Sequence, residues 1–376
     1  MILELLHITE FLLIFPHYNN TSYLKHYETS PTFCGAGYFL HLFNLQELNF
    51  MEKITFVIIG GGWRAEFYLR IAKLLPEVFN TSAICVRNKE RAEYISKNFN
   101  VKVLSSIDEV LKEPFDFIVN CINKEDITDF SVELADKGYY VLSETPIIEE
   151  PSSLHNYDKI QVAEQFHLKG TYQAIKRLID AGIIGKINYI NISVAHDYHA
   201  MSLIRFLLDD YSKPELLGSY SLNDNVIITN GRAGKSNKNE LKNTTQNIKI
   251  FKFKNATAVY DYNTEQYFSP IRKDRILIRG TKGEIENDCV KYLTSKNEPV
   301  STDIKLVTSG LLDGFYNDKI TFENKVLFDF SFSKARLSEE ETAIAECLIR
   351  MSNYITNGKE LYSYKKAYED YFYFNS

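Results

Sequence analysis

Histidine is the side chain whose ordinary pKa, about 6.5, lies nearest neutral, so it suits a step that gives or takes one proton. Beyond residue 50 the histidines are His155, His167, His196 and His199. The densest group is His196-Asp197-Tyr198-His199, while Glu144-Thr145-Pro146 and Glu164-Gln165-Phe166-His167 add carboxylates and hydrogen-bonding groups. A histidine with a carboxylate at hand can protonate or deprotonate a substrate hydroxyl, carbonyl oxygen or imine nitrogen. A metal site would draw on His167, His196 and His199, but no H-E-x-x-H and no cysteine pair supports it, so no metal is expected. A serine or cysteine nucleophile lacks its G-x-S-x-G or Cys-His pattern.

The redox partner for such chemistry is written nearer the start. Residues 54–59, Ile-Thr-Phe-Val-Ile-Ile, read as a strand buried on both faces, and Phe67, Ile71, Leu74 and Leu75 recur at helical spacing. Between them Gly60, Gly62 and Ala65 fit G-x-G-x-x-G/A, with Trp63 and Arg64 inside the motif. The first glycine makes a tight turn, the second lets a pyrophosphate approach, and the third position packs the helix on the strand. A second strand over residues 82–86 would end where dinucleotide folds place an acid for the adenosine ribose. Val86 holds that place, Arg87 follows and Arg91 is a helical turn on, so NADP(H) is favoured over NAD(H).

The remaining elements must position these groups. Helices over 88–99, 107–111 and 127–137 alternate with strands over 102–104, 115–121 and 140–143, and a strand at 161–163 follows. Such alternation predicts parallel β-α-β units with right-handed crossovers. Ligands of these sheets lie beyond the strands' carboxyl ends, which nominates the loops at 120–123, 144–146 and 164–167. After Gly170 the pattern changes to helices over 171–181 and 201–208 and strands over 187–194, 225–229, 246–253, 256–262 and 276–279. Short turns such as Lys254-Asn255 join several strands antiparallel. Residues 231–243 read as a mobile loop, and residues 338–357 as a closing amphipathic helix. The expected fold class is α/β: an N-terminal Rossmann doubly wound parallel sheet over 51–169, then a C-terminal α+β domain over 170–376 with an open, mainly antiparallel sheet.

Composition agrees with a globular chain. Its 376 residues are 45% hydrophobic, enough for two cores, and the net charge of −6 offers no broad basic field for nucleic acid or anionic membrane. No apolar run reaches the roughly 18 residues of a membrane span. Cys34, Cys85, Cys121, Cys289 and Cys347 are scattered, as in a reducing cytoplasm. Residues 1–50 carry Glu4, Glu10, Glu28 and Glu47 against Lys25, unlike a secretory or transit leader, and Met51 precedes the first strand. The first 50 residues are therefore expected to be an upstream extension, the alternative being an aromatic-rich arm over the enzyme.

Taken together, these residues resemble the Gfo/Idh/MocA oxidoreductases over about 51–376. The carriers are Gly60-x-Gly62-x-x-Ala65, Arg87-Asn88-Lys89-Glu90-Arg91-Ala92, Asn123, Glu144-Thr145-Pro146, Gly182-Ile183-Ile184-Gly185, and Ile278-Arg279-Gly280-Thr281-Lys282-Gly283-Glu284. The resemblance implies a nicotinamide cofactor, a small polar substrate and a C-terminal sheet that can support a homodimer or homotetramer. Typical members carry E-K-P and D-x-x-x-H. Thr145 stands in place of the lysine and Ala195 in place of the aspartate, while His199 keeps the histidine position. The expected cofactor-binding residues are Gly60, Gly62, Trp63, Arg64, Ala65, Arg87, Asn123, Glu144 and Thr145. His199 is the first choice of acid or base and His167 the second, with Glu144 and Glu164 as positioning carboxylates. The expected activity is hydride transfer to or from a small polar carbonyl, imine or alcohol. The alternatives are a nucleotide-binding regulatory protein without turnover and nicotinamide-assisted glycoside elimination or hydrolysis.

Overall fold

Apolar strands flanked by amphipathic helices dominate the first part of the computed structural model, which describes residues 53–231, 234–235, 239–312 and 314–376. The expectation for residues 1–50 lies outside the described residues, as do parts of the loop expected at 231–243. What is described of that loop is a small hairpin, Asn230–Gly231 against Gly234–Lys235, and the start of the next long strand at Leu241.

The first sheet contains β1 (Ile54–Ile59), β2 (Phe79–Cys85), β3 (Val103–Leu104), β4 (Phe117–Asn120), β5 (Val141–Ser143) and β6 (Ile160–Val162). Its order is β3-β2-β1-β4-β5-β6, every pairing is parallel, and the order reverses between β1 and β4. That is the doubly wound dinucleotide fold, whose cleft opens beyond the strand ends at the switch point. Helices α1 (Trp63–Leu74), α2 (Lys89–Phe99), α3 (Ile107–Val110) and α4 (Ile127–Asp136) connect the strands. Asn88 caps α2 by accepting the Arg91 N–H at 2.8 Å, so the helix begins where its side chain satisfies an orphan donor.

After a short 3-10 turn at Phe166–Leu168, α5 (Gly170–Asp180) leads to β7 (Ile187–Ser193) and α6 (Asp197–Leu208). The second sheet adds β8 (Glu215–Ile227) and, beyond the small hairpin strands β9 and β10, runs through β11 (Leu241–Lys252), β12 (Thr257–Asn263), β13 (Arg275–Gly280), β14 (Gly283–Glu286), β15 (Cys289–Leu293), β16 (Pro299–Leu311), β17 (Gly314–Phe322) and β18 (Lys325–Asp329). Its order is β18-β17-β16-β15-β14-β13-β7-β12-β11-β8, antiparallel except between β7 and β12. Alternation decides its two faces: Ile190, Ile192, Ala258, Tyr260, Ile276 and Ile278 are buried with α5 and α6, while Thr257, Val259 and Asp261 stay half-exposed.

Helix α7 (Glu339–Asn357) starts at a capping box, in which Ser338 Oγ accepts the Glu341 N–H while Glu341 accepts the Ser338 N–H at 2.9 Å. Its apolar side, with Ala343, Ile344, Cys347, Leu348 and Met351, joins the core of the first sheet and not that of the second. The aromatic tail forms α8 (Tyr364–Asn375), packed on α6. Among the described residues no helix is long and apolar enough to cross a membrane, and Cys85, Cys121, Cys289 and Cys347 are free thiols.

Candidate active site

The nucleotide end is fixed by backbone. Gly60 has φ +112°, and a Cβ there would stand 2.5 Å from the Cys121 carbonyl oxygen, so only glycine lets β1 turn against the end of β4. Gly62 caps α1 with no side chain on the first-turn N–H groups, and a Cβ there would meet nothing within 4 Å. An open helix N-terminus of this kind fits a pyrophosphate. Ala65 is fully buried, as the close helix–strand contact requires. Val86 packs against the turn, since a Cβ on Gly61 would lie 2.9 Å from its Cγ1. Arg87, next in sequence, is exposed. Arg91 instead folds over the turn: its guanidinium donates to the Gly61 carbonyl at 2.5 Å, to the Gly62 carbonyl at 3.3 Å and to Glu66. Asn123 lies exposed at the start of the α4 connection, donating to Asp126 at 2.8 Å.

The histidine-bearing end is assembled from distant segments. Glu164, just past β6, and His199, in the first turn of α6, are both buried, with Nδ1 and Oε2 2.6 Å apart. Burial pushes the Glu164 carboxyl up and the His199 imidazole down, and His196 nearby adds to the latter. Both directions favour a pair with no net charge that shares its proton along Nδ1···Oε2. The pocket of about 290 Å³ beside it is lined by Trp63, Arg64, Gln165, Phe166, His196 and His199, with residues 264–268 supplying Thr264, Glu265, Tyr267 and Phe268. His199 is held there by rings: Phe166 at 4.8 Å, Tyr198 at 4.4 Å and His196 at 5.0 Å between centroids. Ala195, where an aspartate was the family expectation, is fully buried, and Glu164 supplies the carboxylate from another segment.

Glu144 is buried behind this pocket. It accepts from Tyr68 Oη at 2.5 Å and faces Arg64 Nε at 3.4 Å, and burial raises its pKa despite both partners. Arg64 also meets Glu340 at 3.3 Å, and that carboxylate takes Lys169 Nζ at 2.6 Å and Gln165 Nε2 at 2.7 Å. Burial would raise the Glu340 pKa, but the two cations outweigh it and hold the group at about 2. Thr145 Oγ1 accepts from Tyr198 Oη at 3.3 Å, so the E-T-P loop is joined to the start of α6.

His167 is not brought to the pocket. In the 3-10 turn Phe166 faces the pocket while His167 points into the core, 5.1 Å from the Tyr362 ring and 5.6 Å from Phe206, with Nδ1 unpartnered. Burial drives its pKa down to about 3, so the ring is neutral. The structure therefore separates His167 from His196 and His199, and among the described residues no group of three His, Cys, Asp or Glu side chains is arranged to hold a metal.

Sequence reasoning missed Tyr68, Lys169, Glu340 and the loop at 264–268. Tyr68 sits one turn beyond Arg64 on α1, which was a usable signal; Glu340 reads only as an acid favouring a helix start.

The order of the first sheet and the glycine turn define a dinucleotide-binding fold, followed by a second, mainly antiparallel sheet. Residues 54–160 match the GFO_IDH_MocA model, described as "Oxidoreductase family, NAD-binding Rossmann fold", so this stretch is similar to that family's NAD-binding domain. No curated protein matches the chain by sequence. Among solved structures, an oxidoreductase from Agrobacterium radiobacter, in complex with NAD+, L-tartaric acid and magnesium, is 13% identical with a TM-score of 0.57, covering 86% of this chain and 95% of its own. A myo-inositol dehydrogenase from Corynebacterium glutamicum is 13% identical at 0.54, with coverage of 86% and 95%. A levoglucosan dehydrogenase in complex with NADH and levoglucosan is 15% identical at 0.57, with coverage of 86% and 96%. At such identities the likeness is one of fold.

Proposed function

We propose that the chain is an NADP(H)-preferring oxidoreductase that passes a hydride to or from a small polar carbonyl, imine or alcohol, with His199 as the acid or base. The observation that carries this reading is the buried Glu164–His199 pair, 2.6 Å apart, on the wall of a pocket shared with the first turn of α1. A nicotinamide, when bound, supplies or accepts the hydride. Gly60, Gly62, Trp63, Arg64 and Ala65 would hold its pyrophosphate side, and Glu144 and Thr145 border the reactive end. With Nδ1 committed to Glu164, His199 exchanges its proton with the substrate at Nε2, and Glu164 balances the charge of the protonated ring. Trp63, Phe166, Tyr267 and Phe268 would give that exchange a partly apolar wall. Val86 offers no carboxylate to the adenosine ribose, and exposed Arg87 suits a 2′-phosphate. The half-exposed face of the second sheet would serve a homodimer or homotetramer.

Calorimetric titration with NADPH and NADH tests the cofactor, and NADPH should bind tighter by about tenfold or more. In a screen of carbonyls, imines and alcohols followed at the nicotinamide absorbance, His199→Ala should cut turnover by about 10²–10⁴-fold and leave nucleotide affinity within about twofold. Turnover unchanged in that variant would remove His199 from the chemistry.

A further inference from the structure

Along α6 from His199 lies a second group of buried polar side chains that the proposed chemistry does not use. Arg205 is fully buried, and its guanidinium donates to Asp370 Oδ1 at 2.5 Å, Glu369 Oε2 at 2.6 Å and the Tyr211 carbonyl at 3.0 Å. Tyr362 Oη donates to the other Asp370 oxygen. The same C-terminal stretch also grips the first sheet. The N–H groups of Leu361 and Tyr362 donate to Gln161 Oε1 at 2.9 and 3.0 Å, and the Val162 N–H donates to the Tyr362 carbonyl at 2.8 Å. Gln161 and Val162 belong to the strand that presents Glu164, and Arg205 belongs to the helix that presents His199.

We infer that Arg205, Asp370 and Tyr362 are positioning residues for the Glu164–His199 pair, the C-terminal stretch acting as the gauge that sets its spacing. A buried ion pair is a weak stabiliser compared with well-packed apolar groups, because both ions lose their water. Its directional contacts instead fix the rotation and height of α6 against β6. An error of about 1 Å there would break the Nδ1···Oε2 hydrogen bond and misaim Nε2. The inference rests on the reading of His199 as acid or base, yet its test needs no substrate.

The measurement is the nitrogen-15 resonance of the His199 ring and its pH titration in the full chain, with the melting temperature recorded alongside. In Asp370→Asn the Nδ1 signal should move towards that of a free imidazole, and the protonation midpoint should fall further below the ordinary value, because the ring stays buried while Glu164 no longer balances its charge. Ile285→Val, a cavity in the second core, should lower the melting temperature and leave His199 unmoved. A folded Asp370→Asn protein with an unmoved His199 signal overturns the inference, and so does an equal movement in Ile285→Val. Should Asp370→Asn not fold, Tyr362→Phe is read by the same criteria. Normal turnover in His199→Ala would defeat the functional reading separately, leaving the resonance result to judge the spacing.

Discussion

The two ends of the cleft are built in opposite ways. At the nucleotide end a few consecutive residues form the turn, and the deciding features are backbone ones: the φ of +112° at Gly60 and the open N-terminus at Gly62. At the histidine end Glu144, the Glu164–Lys169 stretch, His199 and Glu340 come from separate segments, and each side chain is positioned by others. A site carried by backbone is sensitive to an added methyl group and tolerant of altered side chains. A site assembled from side chains is sensitive to their removal and to the packing that spaces them.

The strongest way to break this contrast is Gly60→Ala. The new Cβ meets the Cys121 carbonyl and imposes an unfavourable φ, so stability should fall by about 2–3 kcal/mol and NADPH affinity by about a hundredfold. Calorimetry showing affinity within about twofold of wild type would mean that the turn is not governed by its backbone. Next in size, Arg87→Ala should weaken NADPH about tenfold and spare NADH. Arg91→Ala should weaken both, because that guanidinium braces the Gly61 and Gly62 carbonyls. NADPH-selective loss in Arg91→Ala alone would exchange their roles.

The smallest effect concerns His167, which shares its residue type with His199 and nothing of its surroundings. Its folded pKa of about 3 lies below the unfolded value of about 6.5, so the unfolded chain takes up the proton first. Its stabilising share is present above pH ~6.5 and is lost as pH falls through about 3. His167→Phe should keep turnover, gain about 1 kcal/mol by removing an unpartnered buried nitrogen, and lose less stability between pH 7 and pH 4 in denaturant unfolding. Loss of turnover would return His167 to the reaction.

These differences track what was legible beforehand. The first sheet could be read because its strands are continuous apolar runs and its turn is a local pattern; the helices expected over 88–99 and 338–357 followed from apolar periodicity, and the structure adds their caps, Asn88 and Ser338. The start of α6 was hidden because its first turn carries Tyr198 and His199, and the apolar periodicity begins only at Met201. Strands β15 to β18 were missed because polar residues crowd their half-exposed faces, and α8 because a run of aromatic residues has no clear helical stripe. The turn residues of the nucleotide end were named from spacing. The Glu164–His199 contact was not, since the pairing depends on how β6 and α6 meet, and His167 was indistinguishable until the 3-10 turn showed which way its ring points.

The placement of α7 bears on how the protein is made. The dinucleotide sheet is the first described part to leave the ribosome, yet Ala343, Ile344, Cys347, Leu348 and Met351, which complete its core, are translated after the whole second sheet. The nascent first domain must therefore carry an uncovered apolar face until the second sheet has been made, and its closure is a long-range event. A nucleotide that binds only the closed domain would reward that closure, so its supply would act on the same folding step as the synthesis of α7.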